Sequence, residues 1–175
     1  TAVTQELTVK QDFRMESWVT TEDLASRKRA NKDIESIKAA LDSAVQDLAQ
    51  AHNNIERLQK LLKNDVFNAD STLHDTVKVT AKALEKVRLG IFGEKEVKGY
   101  FEQPETWSNQ WGSSLWQLLG SQRAWGSNEL ALYDQIEQRT AQAVDSVNKF
   151  LEKDYHALLD YLKDHPVDVM VPLSN

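Results

Sequence analysis

From Ile34 to Leu62 the apolar residues Ile34, Ile37, Leu41, Ala44, Leu48, Ala51, Ile55, Leu58 and Leu62 follow at spacings of three and four without a break. A stripe with that period runs along one side of an α-helix and gives a strand no single apolar face, so the segment has to be helical. No Pro or Gly interrupts the chain from Thr20 to Lys63. Thr20 or Thr21 offers an N-cap hydroxyl, and Glu22 and Asp23 suit the positive end of the helix dipole. A helix of about 40 residues is roughly 60 Å long. Covering its stripe takes several partners or one equally long.

The rest of the chain supplies those partners. Asn68-Ala69-Asp70-Ser71 reads as a turn with capping residues, and Leu73, Val77, Thr80/Ala81, Leu84, Val87 and Ile91 repeat the stripe in a second helix that ends near Gly90 to Gly93. After a charged connector containing Tyr100 and Phe101, Pro104 suits the first turn of a third helix, with Trp107, Trp111, Leu115 and Leu118 on one face. Gly120 and Gly126 bracket a loop. Ser127 is placed to cap a fourth helix reaching about Lys163, with Tyr133, Ile136, Ala143/Val144, Val147, Phe150/Leu151, Leu158 and Tyr161/Leu162 inward, and His165-Pro166 stops it. The expectation is an all-α fold. It takes the form of an up-down-up-down four-helix bundle over residues 21–175, with two long and two shorter helices. Residues 1–20 form a short N-terminal extended arm, since Glu6 to Lys10 alternates in the manner of a strand. On this reading the long helices outrun the short ones, and the uncovered ends call for the arm, the Val167 to Leu173 tail or another domain.

Charge and composition remove several function classes. The net charge is -6, which is unsuited to a nucleic-acid surface built on clustered Lys and Arg. No apolar run approaches the roughly 20 residues that span a bilayer, and the first residues lack the build of a signal peptide. There is no Cys, which excludes disulfides, a catalytic thiol and thiolate metal sites. The chain begins with Thr1 and opens on a strand-like phrase, so it reads as a piece of a larger protein whose β-domain would pair that strand.

No catalytic or metal-binding pattern stands out, and no cofactor is implied. His52, His74, His156 and His165 are scattered, without the paired Glu-x-x-His of di-iron bundles. Trp107 and Trp111 share the apolar face of their helix and belong to the core. Trp116 lies off that face, Trp125 sits in the Gly-flanked loop and Trp18 precedes the first helix. These three are the candidate interaction surface, either for packing against a neighbouring domain or as a sugar platform. The basic run Arg27-Lys28-Arg29 is interleaved with acids and reads as a solvated face. A stripe this long could also zip two chains into a homodimer, although three amphipathic helices in cis compete for it.

Several phrases resemble one known family. They are Leu7-Thr8-Val9-Lys10-Gln11-Asp12-Phe13-Arg14, Thr21-Glu22-Asp23-Leu24, Ile55-Glu56-Arg57-Leu58, Leu115 to Leu119 followed by Leu132-Tyr133, and Leu159-Asp160-Tyr161-Leu162 running on to Val171-Pro172-Leu173. Together they are similar to the C-terminal helical region of bacterial sortilin-like, BNR-repeat proteins commonly labelled glycosyl hydrolases. The resemblance implies a periplasmic, cell-surface or secreted setting and an upstream β-propeller or β-domain as partner. It transfers no catalytic residue, because any such site would belong to the propeller. The function it implies is a non-catalytic accessory or interaction domain. A carbohydrate-binding module using exposed Trp and a ligand-sensing bundle are the competing expectations.

Overall fold

The protein is described from a computed structural model over residues 8, 19–63, 71–93, 106–121 and 123–165. All the regular structure in these residues is helical, as the apolar spacing requires. Helix α1 spans Thr21–Leu62, α2 Ser71–Phe92, α3 Trp107–Gly120 and α4 Ser127–Lys149. A π-helical turn, Phe150–Tyr155, continues α4 directly into α5, His156–Asp164. The expected strand at Glu6 to Lys10, the turn at Asn68 to Asp70, Pro104 and the Val167 to Leu173 tail fall outside the described residues, apart from Thr8.

The capping chemistry sets the boundaries. Thr20 caps α1 in a reciprocal box: its hydroxyl accepts from the Asp23 amide at 3.0 Å, and the Asp23 carboxylate accepts from the Thr20 amide at 2.8 Å. Gly93 ends α2 with φ 76°, a left-handed conformation that favours glycine, and its N–H donates to the Leu89 carbonyl at 2.9 Å. Two expected helix starts are corrected. The hydroxyl of Thr106, not Pro104, opens α3 by accepting from the Asn109 amide. Gly126, not Ser127, is the N-cap of α4, with its N–H donating to the Glu129 carboxylate at 3.0 Å.

Hydrogen bonds between helices give their directions. At one end, the Ala124 amide, two residues ahead of the α4 cap, donates to Asp23 at 2.8 Å, and at the other end Asn54 donates to the Tyr155 hydroxyl at 2.8 Å. Both bonds join residues 101 apart in sequence. An unchanged offset at both ends means that α1 and the α4–α5 rod run parallel and in register. Helix α3 runs against that rod, because Trp107 bonds to Thr140 while Trp125, across the intervening loop, bonds to Leu118. Helix α2 starts beside the end of α1, where His74 meets the Leu62 carbonyl at 3.3 Å, and runs back along it. Helices α2 and α3 therefore point the same way and follow one another.

This corrects the expected up-down-up-down order. Helix α3 takes the direction of α2 rather than returning along it, so the two short helices together face the length of α1. With 22 and 14 residues they extend about 33 and 21 Å, nearly the roughly 63 Å of the 42-residue α1. The long helices do not outrun their partners, and the mismatch that called for a covering domain disappears.

The core divides accordingly. The larger cluster joins Leu41 to Leu62 of α1 with α2, the end of α4, the π turn and α5. A smaller one joins Ile34 with Leu118 and Ile136, packed by Trp111, Leu115, Trp125, Leu132 and Tyr133. Seven of the nine stripe residues between Ile34 and Leu62 are buried, while Ile37 and Leu58 are half-buried. Val147 and Leu158 have no exposed surface. Among the described residues every buried side-chain nitrogen and oxygen has a hydrogen-bond partner.

The π turn has a packing reason. Up to Phe150 the buried residues of the rod are Ile136, Thr140, Ala143, Val147 and Phe150, stepping by four and three. An uninterrupted α-helix would next turn Asp154 and Ala157 inward. A π turn takes up one extra residue, and Tyr155, Leu158 and Leu162 face the core instead. The paired possibilities Phe150/Leu151 and Tyr161/Leu162 in the sequence mark this change of phase.

Candidate interaction surface

Helix α3 buries one side and offers the other. Leu118 is fully buried, and Trp111 and Leu115 pack beside it. Trp116 follows Leu115 and so stands about 100° further round the helix. It is 82% exposed, and Leu119, one turn on, is 40% exposed. Across the seam to α1, the Arg27 guanidinium donates to the Leu119 carbonyl at 3.5 Å. That contact brings Leu24, one turn before Arg27 and 41% exposed, to the border of the same seam. A shallow hollow of about 630 Å³, lined by Leu24, Arg27, Lys28, Lys32 and Glu35 among others, lies on this part of α1.

Of the three candidate tryptophans, the structure places one clearly outside. Trp125 is half-buried, its ring centroid is 5.4 Å from that of Tyr133, and its indole N–H donates to the Leu118 carbonyl at 3.3 Å. It anchors the loop to the smaller core cluster and makes no common platform with Trp116. Trp18 falls outside the described residues. Trp107 and Trp111 stack with centroids 5.0 Å apart and join the two clusters, as a core assignment requires. The Trp107 N–H donates to the Thr140 hydroxyl, which donates in turn to the Ile136 carbonyl at 2.7 Å.

The same end of the molecule is fastened by Asp23. Its carboxyl is lowered from 3.8 to about 2, first by the Ala124 amide, then by the Thr20 amide and hydroxyl, with the Arg123 charge adding to them. The carboxylate thus ties the start of α1 to the loop before α4. Sequence reasoning assigned Asp23 to the helix dipole alone, because its long-range partner is a backbone amide and leaves no mark in side-chain pattern.

A second feature lies between α2 and the α4–π-turn segment. It is a groove of about 1150 Å³ with Val87, Ile91, Trp107, Ala143 and Phe150 in its floor. A smaller hollow of about 240 Å³ continues it past Trp107 and Arg139 towards Trp111 and Leu132. One signal for the groove was present in the sequence: Arg139, Gln142, Ser146, Lys149 and Lys153 form a polar stripe with the same three-four spacing as the core stripe beside it.

Among the described residues no group of three or more His, Cys, Asp or Glu could hold a metal ion. The histidines keep ordinary surroundings, with His52 facing Glu56 at 3.4 Å and His156 facing Asp160 at 3.8 Å. No helix among the described residues is long and apolar enough to cross a membrane. No protein-family model, curated protein or solved structure matches the chain.

Proposed function

We propose that this chain is a non-catalytic helical interaction domain that docks a neighbouring domain along the edge formed by Leu24, Trp116 and Leu119. The observation that carries this reading is the 82% exposure of Trp116 beside two further exposed leucines, in a molecule whose other tryptophans among the described residues are packed. Large rigid aromatics of this kind, with an Arg alongside, are the usual anchors of protein interfaces. The edge lies at the end where the chain enters α1, within reach of a domain joined ahead of it. The sortilin-like resemblance gives that neighbour a chemistry: a β-propeller or β-domain of the same exported, glycosyl-hydrolase-type protein.

The sugar-platform alternative has less support, since Trp125 is turned into the core cluster and no second exposed tryptophan joins Trp116 among the described residues. Titration calorimetry of this chain against the domain encoded directly upstream tests the proposal. Trp116→Ala is expected to weaken binding at least tenfold while leaving thermal stability unchanged. Equal affinity for the variant, or glycan binding that vanishes in Trp116→Ala without any domain binding, would overturn it.

A further inference from the structure

We infer that the edge formed by Leu24, Trp116 and Leu119 receives an acidic surface of the neighbouring domain, whose Asp and Glu side chains lie against a cationic face on the first turns of α1. This rests on the docking reading above and gives the partner a charge. In the sequence the basic run Arg27-Lys28-Arg29 is interleaved with Glu22, Asp23 and Asp33. The helix separates them. Measured round α1 from Leu24, Lys28 and Lys32 stand about 40° and 80° to one side and Arg27 about 60° to the other, while Glu22, Arg29 and Asp33 stand roughly 140–180° away. Contacts with the neighbouring helices agree. Arg27 reaches Leu119 on α3, whereas Asp33 lies towards Tyr133 of α4, whose hydroxyl is raised first by burial and then by the charges of Glu137 and Asp33. Asp23 turns to Thr20 and Ala124.

Three cations and one carboxylate remain on the face that carries Leu24. The hollow there is lined by Arg27, Lys28, Lys32 and Glu35, with Asn31 between them. Lys28 and Lys32 are exposed and have no ion pair among the described residues. The Arg27 guanidinium donates to a neutral carbonyl, which leaves its charge uncompensated. Helix α3 offsets none of this, since its 14 residues include no Asp, Glu, Lys or Arg. In a chain of net charge -6, the face that shares Leu24 with the Trp116 edge therefore reverses the overall sign.

Charge and apolar surface together select the occupant. Protein interfaces set a large aromatic anchor in a pocket and place complementary charges round it, where they steer association. A partner with an apolar recess for Trp116 and carboxylates at its margin meets both requirements. An anionic bilayer fits less well. It meets the charge of the whole chain, -6, and one Trp with two partly exposed leucines is a small anchor. The same net charge disfavours nucleic acid.

The test is surface plasmon resonance of the full chain with the domain encoded directly upstream, reading association and dissociation rates separately. Lys28→Glu with Lys32→Glu is expected to slow association about fivefold or more and to leave dissociation nearly unchanged, because charges at an interface margin act mainly on encounter. Glu35→Gln should speed association, a gain that damage to the fold would not produce. Trp116→Ala is expected to act on the other rate and hasten dissociation. Raising NaCl from about 0.05 to 0.5 M should slow association of the wild type and affect the double variant much less. Unchanged association in the charge reversal, with Trp116→Ala still weakening binding, overturns this inference and leaves the docking reading standing. Absence of binding, or no effect of Trp116→Ala, overturns the docking reading and the inference with it. Binding to phosphatidylserine vesicles that the charge reversal abolishes would assign the cationic face to lipid. Binding that emerges only when residues 1–18 are replaced by a Gly/Ser linker would assign it to this chain's own N-terminal segment. Either result also overturns the inference.

Discussion

Asp23 shows how much one side chain can hold when its two oxygens serve different partners. Oδ2 accepts from Thr20 and closes the helix cap, while Oδ1 accepts from Ala124 and fixes the loop that leads into α4. All of these bonds favour the ionised form, so the folded-state value lies below the unfolded one. The contribution is therefore complete above about pH 4 and is lost as the pH falls towards 2. Asp23→Asn is expected to lower the melting temperature at about pH 6 and to have a much smaller effect near pH 2, where the wild-type carboxyl is about half protonated. Thermal melts of both proteins from about pH 2 to 7 check this, and a difference that stays constant over the range would contradict it. The polar groups of the core work differently. Thr140 serves Trp107 and Ile136 at once and needs no charge to do so.

At the scale of the element, the π turn between α4 and α5 reconciles two stripes that are out of phase by one residue. Removing one exposed residue from it, Glu152, puts Phe150, Tyr155, Leu158 and Leu162 at continuous four-three-four spacing. That deletion is expected to give an unbroken α-helix and a melting temperature equal to or a few degrees above wild type, in keeping with the size of the effect of a small gain in stability. Deleting the exposed Ala141 instead shifts every later inward residue out of phase. That second deletion is expected to unfold the protein, since even one fully buried leucine such as Leu158 is worth about 2–5 kcal/mol. Circular-dichroism melts of the two deletions separate the cases, and loss of the fold in the Glu152 deletion would remove this explanation of the turn. Helices α1 and α2 were legible in the sequence because their stripes are uninterrupted and their ends carry strong signals, Thr20 in one and Gly93 in the other. The π turn was legible only as ambiguity. A one-residue change of phase looks the same as a pair of adjacent apolar residues until the partner helix is known.

For the molecule as a whole, the helical content could be read from residue spacing, but the path of the chain could not. Stripe patterns say which face of each helix is inward and are silent on direction, so α3 running with α2 rather than against it leaves no trace in Trp107, Trp111, Leu115 and Leu118. The same blindness affects the sites. Trp116 could be singled out because it departs from its helix's apolar face, whereas the groove needs α2 and α4 side by side before Lys86 and Lys153 belong together. The arrangement on which the fold rests is the parallel, in-register pairing of α1 with the α4–α5 rod. The chain has no Cys, so Glu56→Cys and Ala157→Cys introduce two unique spin labels at exposed positions 101 residues apart. Electron–electron resonance spectroscopy of that doubly labelled protein is expected to give a distance of about 10–25 Å, set by neighbouring helix axes about 8–10 Å apart and the label arms. An antiparallel pair of long helices, as in an up-down-up-down bundle, would separate the labels by about 40 Å or more, and that distance would contradict the architecture described.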